Sequence, residues 1–543
     1  VRRRVAILGG GCAGVGVAHA LSRTEALRRR FEVTVYEQSW RLGGKGATGR
    51  DPDHGQRIEE HGLHVWMGFY RHAFGAAREC LEAWQPPPGC PLRTFEDAFS
   101  PRYGFRVGEW SLRLPPRPGL PGDPGARTSS ITDELAFAAS MLRALVSGQA
   151  PWGKVAGLAR LGATVARGLA AEMCTGGDLW ARMDEHDLRG WLRRHGASTS
   201  TVRSPVVRAF YDMAFAYPDG VADDARGSVA AGAALRSILR LLFTYRGAPM
   251  WQLRHGMGDT VFVPMYETLR RRGVRFEFFH RTDRLEPSPD GSRIDRVATT
   301  RLRASAHDYE PLLDVQNMPV WPSEPRSDAG PPTSATRMLE RGRDFDDVVL
   351  AIPSGALRPI LTDVARIHRD VATMLEHSHT VATKAAQLWL AYPLPSELHV
   401  VTGTPGPFAT AANLSEVLDA EAWSGPKRPR GLAYLVDTMP TPDDDQNAER
   451  LVAADVQRWC EVAAEPILGR APQQVSPPYV RANVHGWERY VLSLPGTTKH
   501  RIAPDGTRIG NLRLAGDWVK TSINGGSVEA AFESAQAAAD SLG

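Results

Sequence analysis

Residues 9–14 read Gly9-Gly10-Gly11-Cys12-Ala13-Gly14 and stand between a short apolar run, residues 4–8, and a helix-forming run, residues 15–22. Few features restrict a fold more. A buried strand must stop, turn tightly and start a helix within six residues, and the glycines at 9, 11 and 14 give the G-x-G-x-x-G spacing. Gly9 permits the turn. Gly11 keeps a side chain out of the space above the helix N-terminus, and Gly14 lets helix and strand pack closely. The helix N-terminus then offers uncapped N–H groups and positive dipole to a phosphate. Phe31–Tyr36 alternates with β-branched residues and reads as a second strand, with Glu37 at its end, where a carboxylate can bind ribose hydroxyls. The order strand, glycine turn, helix, strand opens a doubly wound, nucleotide-binding α/β unit.

The chain has 543 residues, too many for one such unit, so inserted parts or further domains are expected. Its 65 Lys and Arg are nearly matched by 61 Asp and Glu, leaving a net charge of +4 and no basic stripe, which argues against a nucleic-acid partner. Cys12, Cys80, Cys90, Cys174 and Cys460 are scattered, without a C-x-x-C pair, so most are expected to be buried apolar thiols in a reducing, cytoplasmic compartment. Arg2 to Arg4 followed by apolar residues has the outline of a signal peptide, but the glycines that interrupt it fit the strand-turn-helix reading better. No apolar run is long enough to span a bilayer.

Residues 131–173, 187–194 and 226–245 read as helices, and residues 274–279, 294–299, 347–352 and 512–514 as strands. Residues 323–336, rich in Pro, Ser, Gly and charge, read as a surface loop, and residues 527–541 as a final helix. Within residues 141–173, apolar positions alternate with Arg143, Lys154, Arg160 and Arg167. That pattern suits either a helix lying on a membrane or a core-facing helix with a solvated basic face.

Three further motifs carry chemistry. Arg41-Leu42-Gly43-Gly44-Lys45 pairs glycines, for close backbone approach, with cations that can neutralise phosphate. Residues 58–70 read Ile-Glu-Glu-His-Gly-Leu-His-Val-Trp-Met-Gly-Phe-Tyr, and near the other end stand Leu514-Ala515-Gly516-Asp517-Trp518 and Gly525-Gly526-Ser527-Val528-Glu529. Gly256-Met257-Gly258-Asp259 and the strand ending Ala351-Ile352-Pro353 lie between them. Glu59, Glu60 and His61 can pair with Arg57 or Lys45. His54, His61, His64 and His72 are spaced loosely like metal ligands, but without an H-x-x-x-H helix no metal site is expected.

Together these segments resemble the FAD-dependent amine oxidase and carotenoid (phytoene and ζ-carotene) desaturase-like superfamily. The resemblance covers both ends and part of the middle, but not residues 90–245 or 360–480. Ala530 departs from it, standing where the family usually has Gly. It implies a glutathione-reductase-like Rossmann FAD-binding domain built from residues 1–89, 246–358 and 483–543. A mixed, largely helical substrate or cap domain would occupy residues 90–245 and 359–482. It implies FAD, here non-covalent because no cysteine adjoins the C-terminal motif. The residues expected to hold it are Gly9, Gly11, Cys12, Ala13, Gly14, Glu37, Gln38, Arg41, Gly43, Gly44, Lys45, Gly62, Leu63, His64, Ala351, Pro353, Gly516, Asp517, Gly526, Ser527 and Val528. His64 is the candidate catalytic side chain, with a core histidine as the plain alternative.

The expected reaction is hydride removal from an apolar, polyene-type substrate, carotenoid-like or a polyketide polyene, forming or conjugating C=C bonds. The alternatives are an amine or amino-acid oxidase using oxygen, with Lys384 and Trp389 as recruits, and a non-catalytic flavin or lipid binder. The expected partners are a hydrophobic small molecule and an electron acceptor, which is oxygen, a quinone or a nicotinamide, with peripheral membrane contact as an option.

Overall fold

The computed structural model describes residues 2–108, 110–123, 137, 140, 152–304, 309–395, 398–404 and 406–543. A five-stranded parallel sheet runs in the order Arg275–Glu277, Phe31–Tyr36, Arg3–Leu8, Asp347–Leu350, Leu512–Leu514. It collects strands from the beginning, middle and end of the chain. Strand periodicity sorts the side chains of the central strand onto two faces. Val5 and Ile7 join the core formed with the helices Cys12–Ser22, Val263–Arg271 and Val528–Asp540. Ala6 and Leu8 face Leu285, Val297 and Leu339 of a three-stranded antiparallel sheet, His280–Pro287, Ile294–Arg303 and Pro332–Glu340. With both faces covered, each side chain the size of Ile7, which is 0% exposed, contributes about 1.5–3 kcal/mol through burial. Helices Cys12–Ser22 and Val528–Asp540 approach so closely that a Cβ on Gly16 would lie 2.9 Å from that of Ala535.

A second, mostly antiparallel sheet contains Thr380–Leu390, flanked by Gly431–Met439 on one side and Tyr479–Asn483 on the other, and includes one parallel pair, Val400–Thr402 with Gly104–Val107. Ala382, Ala386 and Leu388 face the helix Ala448–Val462 through Val452, Val456 and Trp459. Ala385 and Trp389 face the opposite way, toward Ile58, Leu414 and Tyr434. Helices Trp152–Met173, Leu188–Arg194, Pro205–Met213 and Ala231–Phe243 gather around Trp191 and Tyr211. The mixed character expected of the substrate side therefore has two parts: helices come from residues 152–243 and the sheet contains residues 380–390.

Residues 323–336 are not wholly a loop. Pro332–Glu340 is a strand paired with Ile294–Arg303, and its exposed edge accepts the polar residues that disguised it. Of the helix expected over residues 131–173, the described part is Trp152–Met173. Leu161, Val165 and Leu169 pack into the helical cluster, while Arg160 and Arg167 face outward, which is the core-facing arrangement. Arg143 and the side chain of Lys154 lie outside the described residues.

Candidate active site

The carboxyl ends of four parallel strands, the first helix and the second sheet line a cavity of about 1630 Å³. A single drug-sized ligand needs about 300–1,000 Å³, so this space suits a cofactor and a substrate together. The glycine loop forms its floor. Gly9 has φ +107°, and a Cβ there would meet the Ala351 carbonyl oxygen at 2.8 Å. Gly14 does not touch the cavity; a Cβ on it would lie 1.8 Å from Gly9 O, so its part is to seat the helix on the strand. Gly11 differs, because its missing Cβ would meet nothing nearer than Gly43 O at 3.6 Å. The first turn of Cys12–Ser22 has no side-chain cap and no acidic residue, so its N–H donors remain for an anion. Glu37 Oε2 accepts from Gly10 N at 2.7 Å and Oε1 from Ser39 N at 2.8 Å. Burial pushes its pKa up against those hydrogen bonds. An open cradle, an uncapped helix end and a fixed carboxylate fit the pyrophosphate and ribose of FAD.

Apart from Gly14, every residue expected to hold the cofactor lines this one cavity. Lys45 Nζ pairs with Asp517 Oδ2 at 2.9 Å, tying the second glycine motif to the last strand. Ser527 caps the final helix by accepting from Ala530 N, and that helix end also faces the cavity. Gly526 is needed for a neighbour as well, since a Cβ would lie 2.6 Å from the ring of Tyr490. Arg41 turns away from a simple phosphate role. Its guanidinium is buried and donates to the Pro322 carbonyl at 3.2 Å and to His61 Nε2 at 2.9 Å.

Both nitrogens of His64 are occupied. Nδ1 contacts the Glu60 carboxylate, and Nε2 donates to the Lys45 carbonyl at 3.2 Å. Burial alone would lower its pKa, but the Glu60 charge and these hydrogen bonds outweigh burial and raise it. Glu60 in turn accepts from Thr48 Oγ1 and Met257 N. His64 is thus a fixed cation beside the cavity, with no nitrogen left to act as a base. His61 is its opposite. Burial, then the charges of Arg41, Arg481 and His64, hold its pKa well below the usual value, so the ring is neutral. Glu59 pairs with Arg57 at 2.8 Å and accepts from Ser323 Oγ.

Another part of the cavity wall is formed by Leu63, Met67, Met213, Phe215, Val436 and Val480, with Thr383, Asn483, Tyr479 and Tyr490 among them. Asn483 Nδ2 donates to the His61 carbonyl and to Thr383 Oγ1, which couples this sheet to the histidine segment. No motif marks these residues; only the alternation of the strands could have separated Thr383 from its neighbour. Lys384 and Trp389 do not line the cavity. Lys384 Nζ lies 2.5 Å from Asp455 Oδ2, on the face that packs against Ala448–Val462. Trp389 is 0% exposed and donates Nε1 to Glu421, a carboxyl that burial raises to about 7. Cys12 does line the cavity, and burial pushes its thiol up to about 12.

Fold and site together define an FAD-dependent oxidoreductase. Residues 7–80 match the NAD(P)-binding Rossmann-like domain and residues 330–542 match the flavin containing amine oxidoreductase family. Residues 330–542 are thus similar to the flavin containing amine oxidoreductases, and residues 7–80 to the Rossmann-like nucleotide-binding domain. No curated protein matches it. Solved structures share the fold over almost their whole length. A putrescine oxidase bound to putrescine aligns with TM-score 0.57 and 13% identity, covering 100% of this chain and 99% of the other. Cyclohexylamine oxidase from Brevibacterium oxydans aligns with TM-score 0.51 and 14% identity, at 100% and 99% coverage. An Exiguobacterium protein described as a putative protoporphyrinogen oxidase aligns with TM-score 0.54 and 14% identity, also at 100% and 99%. Among the described residues no helix is long and apolar enough to cross a membrane.

Proposed function

We propose that this enzyme removes hydride from an apolar, polyene-type substrate to form or conjugate C=C bonds. FAD, when bound, supplies the hydride acceptor. The chain's own part is to position and to exclude water. Gly9, Gly11 and the first helix would hold the pyrophosphate, and Glu37 the ribose. The segment 62–64 would lie along the flavin ring, with the His64 cation favouring negative charge there. Leu63, Met213, Phe215 and Val436 would hold the substrate chain in a dry slot. Loss of a proton beside an extended polyene is eased by conjugation, so no strong base is required. Cys12 stands at the phosphate loop rather than the flavin end, which supports a non-covalent cofactor.

The observation that carries this reading over amine oxidation is the position of Lys384. Its ammonium is directed away from the cavity and paired with Asp455, so it cannot hold water against a flavin. A second reading, an amine oxidase, draws on the carboxylates Glu324 and Glu449 on the cavity wall, which would attract an ammonium group. Anaerobic addition of a polyene and of an amine panel to the FAD-loaded protein decides between them. Bleaching of the flavin band by the polyene alone supports the desaturase reading, and bleaching by an amine alone refutes it.

A further inference from the structure

His61 carries an unspent donor. Arginine can only donate, so the contact from Arg41 makes His61 Nε2 the acceptor and places the ring proton on Nδ1. Among the described residues Nδ1–H has no hydrogen-bond partner, and the ring lines the cavity. Arg41 is 5% exposed and contacts no carboxylate among the described residues. Its charge, with those of Arg481 and His64, surrounds the neutral ring. Of the acids near it, Glu59 is engaged by Arg57 and Ser323 and Glu488 by Arg481, while Glu324 and Glu449 stand elsewhere on the cavity wall. A directed N–H inside a positive field calls for an oxygen acceptor, because leaving a donor unpaired in a closed site is costly. Asn483, bonded to the His61 carbonyl, ties this donor to the sheet that forms part of the cavity wall.

We propose that His61 donates Nδ1–H to an oxygen atom of the substrate, so that the substrate is a polyene bearing a carboxylate or carbonyl group and not a pure hydrocarbon. This rests on the polyene reading above and narrows it. The same donor chemistry could instead serve a carbonyl oxygen of the flavin, and the test separates the two.

FAD-loaded wild type, His61→Gln and His61→Phe are titrated anaerobically with a twenty-carbon polyene carboxylate and with a hydrocarbon polyene of equal length, following the perturbed flavin absorption. FAD affinity is measured for each apoprotein. The wild type is expected to prefer the carboxylate by about tenfold or more, the scale of one hydrogen bond to a charged group. His61→Phe should abolish that preference. His61→Gln, whose amide can accept from Arg41 and still donate, should keep most of it, and FAD affinity should be alike in all three. Equal binding of both polyenes by the wild type, or an undiminished preference in His61→Phe, overturns the inference alone. So does a fall in FAD affinity in His61→Phe with the preference intact, which would give the donor to the flavin. Binding of neither polyene by the wild type overturns the polyene reading and this inference with it. If His61→Phe does not fold, His61→Ala makes the same comparison.

Discussion

Lys45 and Asp517 stand 472 positions apart in the chain, yet their charged atoms meet at 2.9 Å on the wall of the cofactor cavity. The pair closes the gap between the Arg41–Lys45 motif and the strand Leu512–Leu514. Asp517→Ala should therefore leave a folded protein that binds FAD less tightly, by about tenfold or more if one charge-assisted hydrogen bond is lost. Titration of the apoprotein with FAD measures it. Unchanged affinity would remove Asp517 from the cofactor site.

Two glycines of one motif should fail in different ways. Gly11→Val has room for its first carbon and should fold, but its side chain enters the space assigned to the pyrophosphate, so the purified protein should be colourless. Gly14→Ala places a carbon against Gly9 O, and its damage should appear in melting temperature before cofactor content. A Gly11→Val protein with full flavin content would contradict the assignment of the loop.

Folding raises the His64 pKa, so the folded chain keeps a proton that the unfolded chain releases near about pH 6.5. The stabilisation by the Glu60–His64 pair is fully present below that value and is lost as pH rises through the folded pKa. The melting temperature of the wild type should exceed that of His64→Gln most at mildly acid pH, and the gap should narrow on the alkaline side. A gap that widens with pH would show that the ring is neutral.

Lys384→Met should lower the melting temperature, because it strands Asp455, while leaving reoxidation of the reduced flavin by oxygen unchanged. Stopped-flow reoxidation reads this directly. A large drop in rate would bring the lysine to the flavin and favour the oxidase reading.

Arg50 and Asp259 form an ion pair whose side chains are each 1% exposed. Burial raises the Asp259 pKa to about 6 against the pull of Arg50. Arg50→Met leaves that carboxylate unpaired inside the protein, a change that costs about 3–5 kcal/mol in comparable cases. Denaturant unfolding of the apoprotein is the measurement, and a loss below about 1 kcal/mol would show that water reaches the Asp259 carboxylate.

The nucleotide half was readable because its demands fall on glycine. A turn at Gly9, helix seating at Gly14 and open space at Gly11 each exclude a side chain, so the motif survives in the sequence as spacing. Glu37 and the 514–518 segment were readable for the same reason, sitting at strand ends. Thr380–Leu390 was not, since a strand covered on both faces loses its polar alternation and its Ala-rich text has no strand signature. Pro332–Glu340 hid behind the turn residues that an edge strand tolerates. The division of labour between His61 and His64 lies deeper still. It depends on which of Glu60, Arg41 and the Lys45 carbonyl each ring meets, and sequence order alone does not give those contacts.

The parallel sheet takes strands from opposite ends of the chain, and the cavity needs residues 516–528 for its wall. During synthesis the glycine loop emerges well before residues 516–528 and until then lacks that wall to close against. A nascent chain halted before the final strand and helix would hold an exposed, half-built nucleotide site. On the assignment of this cavity to FAD, a chain lacking Leu512–Leu514 and the final helix would lack part of the wall that closes the cofactor's site.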